Sequence, residues 1–214
     1  DGAQGFGGMI GNKRACSFGD ISTTSFFPAK PLGCYGDGGA VFTDNDEWAA
    51  LADSYRVHGK GMFKYDNVRI GMNSRLDTLQ AAILKIKFKA FREYELRDIN
   101  KAAALYTKLL AGRVKTPVTP EGYYSSWAQY TICLNSREER DALQACLKEQ
   151  GIPSMVYYPT PMHGQTAYKA LNAPTDCCST AKRLCDTVLS LPVHPYITEE
   201  EIETVCSVIL GFVR

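Results

Sequence analysis

One lysine of this chain lies in a setting that could do chemistry. Lys30 follows Ser25 by five residues and precedes a glycine-rich run at residues 36–39. Small and apolar residues surround it, and desolvation among such residues favours the neutral amine over the ammonium cation. A neutral amine is a nucleophile and forms Schiff bases with carbonyl compounds. The ordinary alternative is a lysine in a surface loop, so the sequence around Lys30 has to decide between the two.

Four blocks of sequence, spread over almost the whole chain, repeat the motifs of one enzyme group. They lie at residues 1–7, 24–40, 71–77 and 190–195. In this order they resemble the pyridoxal-phosphate (PLP) dependent nucleotide-sugar aminotransferases of the DegT/DnrJ/StrS group. The resemblance implies an α/β fold, the C-terminal part of a fold-type I PLP-dependent transferase. It would comprise part of the large α/β domain plus the small α+β C-terminal domain.

The resemblance also implies cofactor-binding roles for five residues. Asp1 would keep the pyridine nitrogen of PLP protonated, and Gln4 would contact the ring hydroxyl. Ser25 would bind the cofactor phosphate, and Asn73 would bind it from the partner subunit of a homodimer with shared active sites. Lys30 would be the catalytic residue. It would carry the cofactor as a Schiff base and, once displaced, would move a proton between the substrate carbon and the cofactor.

Four further residues are predicted to bind the substrate. Arg75 offers a planar fork of donors that suits a diphosphate or a sugar carboxylate. His58 matches a His-Gly pair that the family carries in a loop near the sugar. Tyr158 and His163 lie in a segment that resembles a family segment usually containing His-Tyr-Pro. Tyr157 stands here in place of the family's histidine, so a role at that position is left open, and a structural role for His163 is an equal alternative.

The implied reaction transfers an amino group from L-glutamate to a keto group of a UDP- or dTDP-linked sugar. Its product would enter polysaccharide, glycan or antibiotic sugar biosynthesis. Residues 34–39 look most like relatives that act on UDP-linked 3-keto sugars bearing a carboxylate. One alternative is a PLP-dependent sugar dehydratase, although those relatives replace the lysine by histidine, and Lys30 argues against it. The other is a non-catalytic regulatory or interaction protein built on an aminotransferase remnant.

Composition excludes several other classes of protein. The chain has 214 residues, of which 45% are hydrophobic and 22% charged, so it can bury a substantial core. A net charge of +1 offers no basic surface for nucleic acid. No apolar run approaches a membrane span and no signal-peptide pattern is visible, so a cytoplasmic location is expected. In the family a substantial N-terminal portion precedes the position of Asp1, and the chain is therefore expected to be a fragment of a longer enzyme.

The cysteines are spaced in a way that does not suggest a metal site or a disulfide framework. Six of the eight are scattered singly among apolar or small residues, and two are adjacent at positions 177 and 178 without a matching second pair. Reduced thiols are favoured, and no metal site is predicted. The six single cysteines are Cys16, Cys34, Cys133, Cys146, Cys185 and Cys206.

Hydrophobic periodicity predicts two domains, residues 1–112 and 113–214. In the first, a strand is expected at 39–43, a helix at 46–55 and a long helix at 76–111 that ends before Gly112. Ser74 is a candidate cap for the long helix, with Asp77 three residues later. That placement would put Arg75 just inside the helix. The run at 36–39 is expected to be a tight turn.

The second predicted domain follows a linker at residues 116–120. Strands are expected at 128–134 and 154–158. A helix begins with Ser136 as its cap and ends at Gly151, and a last helix is capped by Thr198 with Glu201 at the third helical position. This order of elements is that of the small domain of fold-type I PLP enzymes, as the resemblance also implies.

Overall fold

The computed structural model describes residues 1–172, 174 and 178–213. Its internal contacts divide the chain into two compact units. Unit 1 comprises Asp1–Arg97 and Thr119–Ala128, and unit 2 comprises Asp98–Val118 and Gln129–Arg214. The domain bounds at residues 112 and 113 stay a prediction.

Unit 1 contains two small antiparallel sheets. In the first, β1 (Met9–Ile10) lies between β2 (Lys13–Arg14) and β5 (Tyr123–Tyr124). In the second, β3 (Ile21–Ser25) pairs with β4 (Gly39–Thr43). The prediction of a strand at 39–43 is therefore confirmed. The segment between β3 and β4 carries Lys30, so this pair of strands fixes both ends of the lysine segment.

The helices that begin in unit 1 have bounds close to the predicted positions, and the last of them continues into unit 2. Helix α1 (Asp46–Tyr55) has the predicted bounds, and its cap Asn45 accepts a hydrogen bond from the backbone N–H of Trp48 at 3.0 Å. The predicted long helix is also confirmed. It consists of α2 (Thr78–Ala90), a π-helical turn (Phe91–Glu95) and α3 (Leu96–Leu110).

The predicted start of the long helix at Ser74 is wrong. The cap residue is Asp77, and α2 begins at Thr78, so Arg75 precedes the helix instead of lying inside it. The physical reason is a tertiary contact. Asn73 forms an antiparallel bridge with Val57, and the Ser74 N–H donates to the Arg56 carbonyl at 2.9 Å. These contacts hold residues 73 and 74 extended, which is incompatible with a helical turn.

A compact apolar cluster lies under the lysine segment in unit 1. Leu32, Cys34, Leu84 and Phe91 are its buried members, and Phe26 packs against them. Phe6 and Leu96 also pack against this cluster, and the Phe6 ring lies 6.0 Å from the rings of both Phe26 and Phe91. The chain on the C-terminal side of Lys30 is thus anchored in the core.

Unit 2 is built on an antiparallel strand pair with helices around it. Strand β6 (Tyr130–Cys133) pairs with β7 (Val188–Leu191). Helix α4 (Arg137–Glu149) is capped by Ser136, as predicted, and α5 (Ser179–Thr187) precedes β7. Helix α6 (Glu199–Phe212) has the predicted capping box of Thr198 and Glu201. Two short 3-10 helices, Met162–Gly164 and Thr166–Leu171, lie between α4 and α5.

The predicted strand at residues 154–158 is wrong. In this segment Met155 alone forms a bridge, to Ser190, and the residues on either side of it are not in a strand. Pro153 and Pro159 flank the segment and lack the N–H that a ladder requires, which limits pairing on both sides of Met155.

Two tyrosines form the centre of unit 2. Tyr106 and Tyr130 are fully buried and stack with their ring centroids 5.0 Å apart. The Tyr106 hydroxyl donates to the Pro192 carbonyl at 2.9 Å, and the Tyr130 hydroxyl shares a hydrogen bond of 2.8 Å with that of Thr107. Burial raises the pKa of Tyr106 strongly above its ordinary value. These polar groups therefore keep their protons in the core.

Three general features concern the described part of the chain. None of its helices is both long enough and apolar enough to cross a membrane. Its His, Cys, Asp and Glu side chains do not gather in threes in a way that could hold a metal ion. Its seven cysteines are free thiols, whereas Cys177 lies outside the described residues.

Candidate active site

Lys30 lies in a loop whose two ends are tied together. This loop, residues 26–38, is called the lysine loop below. The Lys30 N–H donates to the Phe27 carbonyl at 2.9 Å, which closes a tight turn before the lysine. At the base of the loop, the Phe26 N–H donates to the Gly38 carbonyl and the Cys34 N–H donates to the Phe26 carbonyl, both at 2.8 Å. The Lys30 side chain is half-buried. The loop therefore presents Lys30 from a fixed base.

Two residues of the loop, Gly33 and Cys34, let its two halves pack closely against each other. Cys34 is fully buried, and its thiol lies 3.0 Å from the Phe26 carbonyl oxygen and 3.1 Å from that of Gly36, within hydrogen-bonding distance for sulfur. At Gly33, a Cβ atom would lie 2.5 Å from the Pro28 carbonyl oxygen. The sequence alone shows Cys34 only as one of several scattered thiols. Its role in closing the loop follows from contacts that the sequence does not reveal.

The segment that carries Asp1 and Gln4 runs beside β3. The Gly2 N–H donates to the Thr23 carbonyl at 2.7 Å, and the Thr24 hydroxyl donates to the Gly2 carbonyl at 3.2 Å. Asp1 accepts a hydrogen bond from the Ala3 N–H at 2.8 Å. The candidate cofactor residues Asp1 and Gln4 are thus attached to the strand that leads into the lysine loop.

Two serines complete this part of unit 1. Ser25 ends β3, and its hydroxyl accepts a hydrogen bond from the Phe27 N–H at 3.2 Å. Ser126 is buried, and its hydroxyl donates to the Gln4 carbonyl at 3.2 Å. Asp1, Gln4, Ser25 and Lys30 therefore all lie on the segments that pack on or continue from β3. Sequence reasoning missed Ser126, because 122 residues separate it from its partner.

His58 lies in a second loop, whose two ends are bonded to each other. This loop, residues 57–73, is called the histidine loop below. Ser54, buried at the end of α1, holds it from one side. Its hydroxyl donates to the Lys60 carbonyl at 2.6 Å and accepts from the Arg69 guanidinium at 2.6 Å. His58 itself has a positive φ of 60°, and its N–H donates to the Met72 carbonyl at 2.9 Å. His58 and Asn73 are consequently held at the joined ends of one loop.

The charged groups at the start of the histidine loop form an ion-pair cluster. Asp53 accepts hydrogen bonds from Lys60, at 2.9 Å, and from Arg56. The hydrogen bond from Lys60, and to a smaller extent that from Arg56, holds the pKa of the Asp53 carboxyl below its ordinary value. All three side chains are close to half exposed, so solvent screening keeps the contribution of these ion pairs to stability small.

Asn73 and Arg75 line a groove together with the end of the lysine loop. The Arg75 Nε donates to the Asn73 amide oxygen at 3.0 Å, so these two candidate residues orient each other. Asp37 and Gly38 also line the groove, which has a volume of about 1140 Å³. Among the described residues that line it, Lys30 does not occur. The structure thus joins Asn73 and Arg75 to the far end of the lysine loop, not to the lysine itself.

The remaining two candidate residues, Tyr158 and His163, lie in unit 2. Tyr158 is 58% exposed and stacks edge-on with Tyr157 at 5.5 Å between ring centroids. His163 lies in the 3-10 helix Met162–Gly164 and lines a groove of about 1010 Å³ with Arg137 and Lys182. A role for Tyr158 and His163 in binding a substrate stays a prediction.

Comparison with known proteins identifies relatives over nearly the whole chain. A curated protein of Pseudomonas aeruginosa named UDP-2-acetamido-2-deoxy-3-oxo-D-glucuronate aminotransferase is 41% identical over 208 residues, covering 97% of this chain and 56% of the relative. The Pleiotropic regulatory protein of Geobacillus stearothermophilus is 41% identical over 218 residues, covering 100% of this chain and 57% of the relative. The chain therefore spans about half the length of the curated relatives that it matches.

Solved structures agree with these relatives. The crystal structure of a DegT DnrJ EryC1 StrS aminotransferase from Brucella abortus superposes with a TM-score of 0.93 at 46% identity, covering 100% of this chain and 56% of that one. The predicted α/β fold class is thereby confirmed. The model of the DegT/DnrJ/EryC1/StrS aminotransferase family matches residues 1–210. With its four motifs, the lysine loop and this match over almost its full length, the chain belongs to the DegT/DnrJ/EryC1/StrS aminotransferase family.

Proposed function

We propose that the protein is a PLP-dependent aminotransferase that moves an amino group from L-glutamate to a keto group of a nucleotide-linked sugar. The product would serve polysaccharide, glycan or antibiotic sugar biosynthesis. The observation that carries the proposal is Lys30, held at a tight turn of a loop whose base is closed by three backbone and thiol contacts to Phe26. Membership of the family supports it, as does the relative named as a UDP-sugar aminotransferase.

The residues along β3 fit PLP by their chemistry. They offer an amine at Lys30, a carboxylate at Asp1 and a hydroxyl at Ser25, the three groups that an aldehyde, a pyridine nitrogen and a phosphate require. Gly39 faces Ser25 across the strand pair, where a Cβ atom would lie 2.7 Å from the Thr24 carbonyl oxygen. When bound, PLP supplies the aldehyde to which an amine attaches and a ring that withdraws electrons from the reacting carbon.

Each residue then has a defined task. Lys30 Nζ would bind the aldehyde and, once displaced by the incoming amine, would carry the proton between the substrate carbon and the cofactor. The Asp1 carboxylate would keep the pyridine nitrogen of PLP protonated. Gln4 and Ser25 would fix the orientation of the cofactor through hydrogen bonds to its ring hydroxyl and to its phosphate. Asn73 contributes a phosphate contact from the partner subunit of a homodimer with shared active sites.

The proposed substrate is a UDP-linked 3-keto sugar that bears a carboxylate, with dTDP-linked keto sugars as the alternative within the family. Arg75 is oriented by its hydrogen bond to Asn73, and a guanidinium fork suits a carboxylate through two parallel hydrogen bonds. His58, Tyr158 and His163 supply further contacts. An ammonium cannot reproduce both bonds, so Arg75→Lys should cost about ten- to a hundredfold with the acid sugar. The comparison is between the keto sugar with the carboxylate and the same sugar with a methyl group in its place. If Arg75→Lys weakens turnover of both equally, this choice of substrate is refuted.

The proposal extends to location and partners. We place the protein in the cytoplasm, with the nucleotide sugar and the amino-acid donor as its partners and with neither nucleic acid nor membrane among them. The free thiols of the described cysteines fit a reducing compartment. Cell fractionation tests the location directly.

The experiment for the main proposal is chemical labelling of the protein at the full length that its gene encodes. The protein with PLP should absorb visible light, and borohydride should fix the cofactor on the peptide that contains Lys30. Lys30→Ala should abolish labelling and turnover and leave the fold intact. Lys101→Ala is the control, because that side chain is 69% exposed and pairs with Asp98 at 2.9 Å in unit 2. Labelling at another lysine would refute the assignment of Lys30.

The second candidate is a regulatory function without catalysis. The relative named Pleiotropic regulatory protein favours it, since its identity to this chain equals that of the aminotransferase relative. The presence of Asp1, Gln4, Ser25, Lys30 and Asn73 argues against it. A protein that is labelled at Lys30 but aminates no keto sugar in the presence of L-glutamate would support this second candidate.

A further inference from the structure

One face of helix α2 follows the chain that leaves the lysine turn. Gln80, Leu84 and Lys87 are spaced by four and three residues, so they share this face. Leu84 is buried in the same apolar cluster as Leu32 and Cys34. The Lys87 ammonium lies over the Tyr35 ring, 5.3 Å from its centroid. The face therefore contacts residues 32–36, which begin two residues after Lys30.

Gln80 is the residue of this face that binds the backbone of the loop. Its side-chain oxygen accepts a hydrogen bond from the Tyr35 N–H at 2.8 Å, across 45 residues of sequence. Its side-chain nitrogen lies beside Gly36, where a Cβ atom would come within 3.1 Å of it. The amide group is thus fitted against two consecutive residues of the lysine loop, and a larger residue at position 36 would disturb it.

The segment just before α2 contacts the lysine loop at a second point. Leu76 lies against Gly38, where a Cβ atom would be 3.0 Å from the Leu76 side chain. Asn73 and Arg75 closely precede Leu76 in sequence. If the lysine loop moved away from α2, the loop would therefore also lose its contact with the segment that carries Asn73 and Arg75.

We propose that Gln80 is a positioning residue, which fixes the lysine loop on α2 and so sets the position of Lys30. This inference rests on the proposed function, because it takes Lys30 as the residue that binds PLP. Gln80 is not proposed to contact the cofactor or the substrate. Its effect passes through the backbone at Tyr35 to the loop base, where the Cys34 N–H and thiol are bonded to Phe26.

The test compares three variants at position 80 in the protein at its encoded length. Gln80→Leu and Gln80→Ala remove the acceptor for the Tyr35 N–H, and the second serves if the first does not fold. Gln80→Glu retains an acceptor oxygen of the same reach and should behave like the wild type. Gln144→Leu is the matched control, because Gln144 is also a half-buried helix residue whose side chain bonds one backbone group, the Ser154 carbonyl at 3.3 Å, in unit 2.

Two quantities are measured. The first is amide hydrogen exchange of the peptide that spans residues 27–36, without PLP. The second is the PLP concentration that gives half-maximal borohydride labelling of Lys30. Loss of the one hydrogen bond between the Gln80 side chain and the Tyr35 N–H predicts an increase of about 2- to 12-fold in each quantity for Gln80→Leu. Gln80→Glu and Gln144→Leu should leave both close to the wild-type values.

The outcomes separate this inference from the proposed function. If wild-type protein is not labelled at Lys30, the proposed function fails, and the exchange of residues 27–36 still decides whether Gln80 fixes the loop. If Lys30 is labelled but Gln80→Leu leaves the exchange of residues 27–36 or the PLP concentration for half-maximal labelling at the wild-type value, the positioning role of Gln80 is refuted. The same holds if Gln144→Leu changes labelling equally.

Discussion

Gly59 provides the sharpest test of the histidine loop, and the perturbation is Gly59→Ala. Gly59 has a positive φ of 71°, and a Cβ atom there would overlap the carbonyl oxygen of Arg69. Its own carbonyl accepts hydrogen bonds from the N–H groups of Val68, at 3.0 Å, and Arg69, at 3.3 Å. The alanine variant can therefore fold only if this part of the loop moves apart.

The expected cost has two parts. The left-handed conformation costs roughly 1–2 kcal/mol for a residue with a Cβ. Separation from residues 68 and 69 loses two hydrogen bonds, at about 0.5–1.5 kcal/mol each. The total is roughly 2–5 kcal/mol of local stability. Gly112→Ala is the matched control, because Gly112 has a φ of 72° and no heavy atom lies within 4 Å of the place that a Cβ would occupy. It should show the first part alone.

The assay is amide hydrogen exchange over residues 57–73 in each variant, alongside its thermal unfolding. Gly59→Ala should increase exchange in the histidine loop far more than Gly112→Ala increases exchange at the end of α3. Because Asn73 and His58 lie at the joined ends of this loop, turnover with the keto sugar should fall as well. Equal effects of the two variants would show that the packing of Gly59 against Arg69 does not hold the loop, and the reasoning would fail.

Three further predictions concern the site and unit 2. Mixed dimers of Lys30→Ala and Asn73→Ala subunits should recover part of the activity, because one of the two shared sites would be intact; no recovery in proven heterodimers would mean that Asn73 acts within its own chain. Hydrogen bonds from the backbone and then the side chain of the cap residue Thr198 lower the pKa of Glu201 from 4.5. The stability that Glu201 contributes is therefore present above about pH 4.5 and is lost as the pH falls. Acid unfolding of Glu201→Gln should depend less on pH than that of the wild type. Burial raises the pKa of Tyr106, so its contribution to stability is present below the ordinary pKa of 10.0 and is lost as the pH rises. Tyr106→Phe should therefore make unfolding depend less on pH in the alkaline range. Because it leaves the Pro192 carbonyl without its donor, the variant should also cost roughly 1–3 kcal/mol at pH 7.

The helices could be predicted because their signals are local. Asp46–Tyr55 and Glu199–Phe212 begin at cap residues whose side chains bond backbone N–H groups only three residues away. The bonds within each helix join residues four apart, so a short window of sequence contains both partners. The prediction of Lys30 as the central residue rests in the same way on a continuous motif. Its chemical role stays a prediction until it is labelled.

The sequence by itself determined the family, the α/β class, the positions of the main helices and the candidate residues Asp1, Gln4, Ser25, Lys30 and Asn73. Only the tertiary structure decided how these segments are held. The bridge that keeps Asn73 extended comes from Val57, and the bond that fixes Tyr35 comes from Gln80. Met155 likewise forms an isolated bridge with Ser190, 35 residues away in sequence. Such contacts join residues far apart in sequence, and they form only when packing of the whole unit offsets the entropy of bringing them together.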